Sequence, residues 1–260
     1  MEIKLWENEI PFFDTQADTP NIMRSYFLQT DKALPCVVVL TGGGYHHRAK
    51  HEADPVAEFF NGRGFHAVVV DYRIAPYQFP AGLSDVQRAI RILRRNAEEW
   101  KIDENRIVVC GFSAGGHLAA SALLFEEAYG VGSDDVDEMP HLPNGAILCY
   151  PVISMDSLFG LPSCGKYLLG EERYPLEFAE HCLEKRVTDK TAPVFMWHTS
   201  EDPLVNVKNS LEFGNALRDH NIPFEMHIFP RGGHGLGLAE NYSDIKKWAD
   251  LAADWIEKNI

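Results

Sequence analysis

At 260 residues, with 45% hydrophobic and 24% charged side chains, the chain reads as one soluble globular domain spanning 1–260. Its net charge of −14 argues against nucleic acid and anionic membrane as partners, because both are negative. Five cysteines with no C-x-x-C pair read as reduced thiols, and no apolar run nears the ~20 residues that span a bilayer. Met1–Glu7 lacks a basic n-region and an apolar core, so the expected location is cytoplasmic.

In chain order, Glu2–Trp6 and Arg24–Leu28 alternate polar and apolar residues, as the antiparallel edge of a sheet does. Pro35–Leu40 is a strand apolar on both faces, the mark of a parallel sheet. It runs into Thr41-Gly42-Gly43-Gly44-Tyr45. No Gly-Lys-Ser/Thr follows these glycines, so a phosphate loop is disfavoured. A helix is predicted over 53–63 and a second buried strand over Phe65–Asp71. From Leu83 to Trp100 apolar residues recur at helical spacing, with Arg88, Arg91, Arg94 and Arg95 between them on what reads as a solvated face.

Ile107–Ala120 then combines a buried strand, an abrupt turn Gly111-Phe112-Ser113-Ala114-Gly115, and a helix of small residues. A Gly-x-Ser-x-Gly turn holds its serine in a strained backbone with the hydroxyl clear of the sheet. The helix starting at Ala114 points its free N–H groups at the same place. Residues 126–144 are polar and acidic, an expected exposed loop or rim over the site. Ala146–Tyr150 is another strand. Residues 154–190 lack strand signals and are long for a plain crossover, so they read as a small lid or pocket wall. Pro193–Thr199 is a strand ending at Ser200-Glu201-Asp202-Pro203. A helix over 206–219, with Val207, Leu211, Phe213 and Leu217 inside, and a last strand Phe224–Phe229 follow. That strand exits into Gly232-Gly233-His234-Gly235, and an amphipathic helix Ile245–Ile256 closes the chain. Alternating strands and helices point to an α/β architecture with helices on both faces of a mostly parallel sheet.

A serine hydroxyl needs a base beside it to attack at neutral pH, and histidine needs a carboxylate to orient it. Ser113, Asp202 and His234 occur in the order serine, acid, histidine, each just past a predicted strand. Glu201 is the alternative acid, and Pro203 favours Asp202 as the residue on the strand-exit turn. His198 and His227 fall inside strands and suit packing or surface roles. His117, one turn beyond Ser113, suits support of the elbow. His46, His47 and His51, with Asp54 near, lack metal-site spacing and read as a solvated loop, so no metal is expected.

Thr41–Tyr45, Asp71–Pro76, Phe79–Ala81, Gly111–Gly116, Asp202–Val205 and Gly233–Gly235 together resemble the serine esterases of the α/β-hydrolase fold. The likeness is greatest to bacterial acetyl esterases of the acetyl xylan and feruloyl esterase type, relatives of the hormone-sensitive lipase group, over about residues 35–258. The resemblance implies Ser113 as nucleophile, His234 as base and Asp202 as its orienting acid. It also implies an oxyanion hole from the N–H groups of Ala114 and Gly43 or Gly44, and no cofactor. Thr41 departs from the histidine usual in the lipase-like relatives. The implied substrate is a small-molecule or oligosaccharide ester, with acetylated sugars or xylo-oligosaccharides as its class. A serine peptidase of the same fold and a non-catalytic carbohydrate-binding relative are the alternatives.

Overall fold

The computed structural model describes residues 1–14, 17–131 and 134–260. Eight strands form one sheet in the order β1-β2-β4-β3-β5-β6-β7-β8. These are β1 (Glu2–Lys4), β2 (Ile22–Tyr26), β3 (Leu34–Leu40), β4 (His66–Val70), β5 (Ile102–Phe112), β6 (Gly145–Cys149), β7 (Val194–Thr199) and β8 (Phe224–Phe229). β1 and β2 pair antiparallel at one edge, and every pair from β4 to β8 is parallel. The helices are α1 (Asp54–Gly62), α2 (Ala81–Arg95), α3 (Ala97–Trp100), α4 (Ala114–Leu124), α5 (Pro162–Leu169), α6 (Tyr174–Glu177), α7 (Lys208–Asp219) and α8 (Trp248–Asn259).

The apolar runs are buried on both faces because successive side chains point to opposite sides of the pleat. Cys36, Val38 and Leu40 of β3 belong to the core on one face, which also holds Val86 and Leu93 of α2, Leu118 of α4 and Phe213 of α7. Val37 and Val39 belong to the core on the other face, with Val56 and Phe60 of α1 and Trp248 and Ile256 of α8. The chain leaves β3, crosses by α1 to β4 on one side, then returns by α2 to β5 on the other. The strand order therefore reverses between β3 and β5, and open α/β sheets hold ligands beyond the strand ends at such a switch. All five cysteines are free and buried. Among the described residues, no helix is long and apolar enough to cross a membrane.

Three expectations need correction. The helix read as continuous from Leu83 to Trp100 breaks after Arg95, where the Asn96 side chain bonds back to the Ile92 carbonyl. Leu211 is exposed, and α7 buries Asn209, Ser210, Phe213, Gly214 and Leu217 instead. Of the four arginines on α2 read as solvated, only Arg95 is exposed. Arg88, Arg91 and Arg94 are buried beneath the acidic segment, with Arg88 donating to Asp134 at 2.7 Å and to Asp137 at 3.0 Å. Arg91 donates to the Met139 carbonyl, Arg94 to the Pro140 carbonyl, and Arg95 to Asp135. The described part of 126–144 is thus a strap across α2 and contributes no wall to the candidate site. Two opposite charge runs, each read as solvated, neutralise each other.

The Asp71–Pro76 stretch carries a second buried pair. Arg73 donates its Nη2 to Asp85 at 2.8 Å, and both side chains are buried. Asp85 also accepts from the Trp6 indole at 3.1 Å and the Arg73 backbone N–H at 2.9 Å. Asp85→Ala would strand the guanidinium, so a loss of about 3–5 kcal/mol is expected in urea denaturation.

Candidate active site

Ser113 links β5 to α4 with φ 53° and ψ −116°, a conformation that side chains other than glycine rarely hold. Three hydrogen bonds fix it: its N–H donates to the Cys149 carbonyl at 3.0 Å, and its carbonyl accepts from Val152 at 3.0 Å and His117 at 3.1 Å. The flanking glycines allow the close approach. A Cβ on Gly111 would lie 2.1 Å from the Gly115 carbonyl oxygen, and one on Gly115 would lie 2.3 Å from that of Leu40. Gly115 therefore meets the neighbouring strand β3, not only its own.

Ser113 Oγ lies 2.7 Å from His234 Nε2, and His234 Nδ1 lies 2.7 Å from Asp202 Oδ2. A carboxylate only accepts, so Nδ1 carries the proton and Nε2 is left to accept from the serine hydroxyl. The residues come from the ends of β5, β7 and β8, and 121 positions separate Ser113 from His234. Glu201 is exposed and takes no part. Asp202 is fully buried at its side chain, and its Oδ1 accepts from the N–H groups of Leu204 and Val205, each at 2.9 Å. Burial alone would push this carboxyl up, but hydrogen bonds from His198 and His234 override it and hold it well below the usual carboxylate range.

Ala114 is the first residue of α4, so its N–H has no helical partner. Gly42 donates its N–H to Glu52 Oε2 at 2.7 Å. Gly43 and Gly44 have φ 125° and 62°, and their N–H groups make no hydrogen bond among the described residues. Both line, with Ser113 and His234, an open cavity of about 320 Å³. The segment 154–190, which carries α5 and α6, contributes Leu161, Ser163 and Tyr167 to its wall.

His46, His47 and His51 are exposed, as a solvated loop requires, yet they also wall this cavity. His51 Nε2 approaches the Gly235 carbonyl at 2.9 Å, and Asp54 pairs with Arg24. No group of three or more metal-capable side chains occurs among the described residues. His117 is buried between the Tyr45 hydroxyl (2.9 Å) and the His181 carbonyl (3.0 Å), and burial pulls its pKa down to about 3. A neutral ring therefore braces the first turn of α4. His227 bonds to Glu225 at 2.8 Å on β8, a strand-surface role.

Sequence reasoning gives His198 only a packing or surface role and overlooks two further residues at the site. His198, fully buried at the end of β7, places Nε2 3.3 Å from Asp202 Oδ2 and 3.0 Å from the Val205 carbonyl, while Nδ1 meets Ser210 Oγ at 2.8 Å. The acid thus faces two imidazoles. The only trace in the sequence is a histidine four positions before the aspartate. Glu52 and Tyr150 are the others: the Tyr150 hydroxyl donates to Glu52 Oε1 at 2.7 Å. Nothing local marks either one, since their partners lie 98 positions apart.

A mostly parallel sheet with a strained serine elbow at its switch point, a histidine and a carboxylate meeting above it, is the architecture of an α/β hydrolase. Residues 26–139 match the BD-FAE family and residues 166–260 the prolyl oligopeptidase family. The crystal structure of an acetyl ester-xyloside bifunctional hydrolase from Caldicellulosiruptor lactoaceticus is 44% identical, with TM-score 0.93, over 99% of this chain and 95% of that one. Endo-1,4-beta-xylanase B of Butyrivibrio fibrisolvens is 36% identical over 91% of this chain, and an acetylxylan esterase of Xylanibacter ruminicola 32% identical over 89%. The chain spans only 38% and 47% of the lengths of those two proteins. The chain belongs to the esterase family of the α/β-hydrolase fold.

Proposed function

We propose that this chain is a serine carboxylesterase that removes acetyl-type groups from sugars or xylo-oligosaccharides. The observation that carries the reading is the pair of 2.7 Å hydrogen bonds joining Ser113, His234 and Asp202. His234 Nε2 takes the proton of Ser113 as Oγ bonds to the acyl carbon. The carbonyl electron pair moves onto oxygen, held by the N–H of Ala114 and those of Gly43 and Gly44. The carbon–alcohol bond breaks and His234 returns its proton to the leaving oxygen. Water, deprotonated by His234, then attacks the acyl-serine, the serine regains a proton and the carboxylic acid leaves.

A cavity of about 320 Å³ is at the small end of ligand clefts and has to hold acyl and alcohol parts together, which favours short acyl groups. The sugar class is supported by the xylan-related names of the relatives and by the shape of the mouth. Tyr167 stands 44% exposed there, with the His46 ring 4.7 Å from its own. A second hollow of about 430 Å³ shares Ser163 and Tyr167 with the first and adds Gln78, Lys166 and Glu171 as polar partners. A flat ring flanked by hydrogen-bonding groups suits a pyranose.

The test is a panel of 4-nitrophenyl esters of rising acyl length beside acetylated xylo-oligosaccharides. Turnover that falls beyond short acyl groups, with acetate released from the oligosaccharides, is expected; no hydrolysis of either set would end the esterase reading. Because the C-terminal part matches the prolyl oligopeptidase family, an aminoacyl 4-nitroanilide belongs in the panel, and preferential cleavage of it would favour a peptidase. Tyr167→Ala is expected to raise KM for acetylated xylobiose about threefold to tenfold relative to 4-nitrophenyl acetate, the worth of one stacking contact. Initial-rate kinetics with both substrates check this.

A further inference from the structure

Glu52 is a buried carboxylate, 2% exposed, in the turn Lys50–Glu52 ahead of α1, and acyl transfer makes no use of it. Its two oxygens are bonded in different directions. Oε2 accepts the N–H of Gly42 at 2.7 Å, immediately before the two glycines proposed as oxyanion donors. Gly42 is wedged in place: a Cβ on it would lie 2.8 Å from Glu52 Oε2 and 3.0 Å from Ser113 Cβ. Oε1 accepts from the Tyr150 hydroxyl at 2.7 Å. That hydroxyl in turn accepts the N–H of Gly237 at 2.8 Å, three residues beyond His234.

Tyr150 follows β6 directly with φ 38°, and its ring packs edge-on against the His234 imidazole at 5.0 Å. The Gly237 carbonyl accepts from the Trp248 indole at 3.1 Å, which anchors the loop to α8. The hydrogen inventory is complete in one state only. Tyr150 has a single hydroxyl proton and gives it to Glu52, so an ionised carboxylate satisfies both donors and leaves Tyr150 free to accept from Gly237. Burial pushes the Glu52 carboxyl up, and the bonds from Tyr150 and Gly42 offset only part of that rise.

We propose that Glu52 is a positioning residue that holds the oxyanion loop and the base loop in register with each other. It rests on the esterase reading above, and acts through Gly42 on the donors of Gly43 and Gly44, and through Tyr150 and Gly237 on His234. Both loops must be placed relative to Ser113 within a fraction of an ångström for the transition state to be held, while the ground-state ester is held by the cavity walls. Loss of Glu52 is therefore a loss in kcat and not in KM.

Glu52→Leu removes both acceptors at similar volume. Its kcat per titrated active site toward 4-nitrophenyl acetate is expected to fall about a hundredfold to a thousandfold, the range for one lost oxyanion donor, with KM within about threefold. Glu52→Gln keeps one acceptor for Gly42 and is expected to recover about tenfold of that loss. Affinity for a trifluoromethyl ketone, which forms a tetrahedral adduct at the serine, should weaken in parallel with kcat. Should Glu52→Leu fail to fold, Tyr150→Phe serves with Glu52→Gln. Phe at 150 cuts the tie to Gly237 and leaves Glu52 on Gly42, for an expected loss of about tenfold in kcat. A parent without esterase activity would overturn the proposed function. An active parent with folded variants at the parent kcat, or with losses confined to KM or to melting temperature, would overturn the role of Glu52 alone.

Discussion

Ser113→Ala is expected to lower kcat/KM for 4-nitrophenyl acetate by about 10⁴- to 10⁶-fold while leaving the fold intact. The size follows from covalent chemistry: without Oγ no acyl-enzyme forms, and only the proposed oxyanion donors at Ala114, Gly43 and Gly44 remain to help water. Stability should barely change. Alanine keeps the Cβ and so the same strain at φ 53°, and the three backbone bonds to Cys149, Val152 and His117 do not involve the hydroxyl. His234 loses its Oγ partner but is 13% exposed at its side chain, so solvent can satisfy Nε2. Two measurements settle the matter. A fluorophosphonate should add to the peptide containing Ser113 in the parent and to nothing in the variant, as read by mass spectrometry. Thermal unfolding of the two should agree within a few degrees. Residual activity within tenfold of the parent would remove Ser113 as the nucleophile.

The parts of this molecule that are legible in its sequence are those whose causes are local. Val37, Val38 and Val39 read as a strand buried twice over because nothing polar interrupts them, and the sheet does bury them on both faces. The elbow is legible because Gly111 and Gly115 have no substitute where carbonyl oxygens come within about 2 Å of a would-be Cβ. The meeting of Ser113, Asp202 and His234 is legible at second hand. Chain order and strand ends put them on one edge, and hydroxyl, carboxylate and imidazole have few other reasons to converge there.

What stays hidden depends on partners far away in the chain. Arg88 looks like solvent-facing charge until the strap folds across α2 and brings Asp134 and Asp137 onto it. Glu52 sits at the head of a helix, where an acidic residue is ordinary; only the tertiary fold brings Gly42 and Tyr150 to it. The histidines at 46, 47 and 51 illustrate a different limit. Their exposure is read correctly from the polar loop, but exposure at a cavity mouth and exposure to bulk solvent look alike in sequence.

Asp202→Asn should be the more informative loss, because it separates orientation from charge. The asparagine carbonyl can keep the N–H groups of Leu204 and Val205, which now bond to Oδ1 at 2.9 Å. Its NH₂ then replaces Oδ2 and faces two ring nitrogens. His198 keeps its Nε2 proton by bonding to the Val205 carbonyl at 3.0 Å. His234 has no such alternative: its Nδ1 must accept from the amide, so its proton moves to Nε2 and points at Ser113 Oγ. The serine is left without a base, and kcat is expected to fall by about 10⁴-fold with little change in KM. The same substitution carries a stability signature of definite sign. The folded carboxyl titrates below its unfolded value of about 4, so its ionised form contributes stability that is complete above about pH 4 and is lost as pH falls through the lower folded value. The variant lacks that contribution. The gap in melting temperature between parent and Asp202→Asn should therefore narrow as the solution is taken below about pH 4. A loss of less than tenfold in kcat would mean that another group orients His234. A stability gap that opened as pH fell below about 4, instead of closing, would mean that the carboxylate is tolerated in the folded protein and not favoured by it.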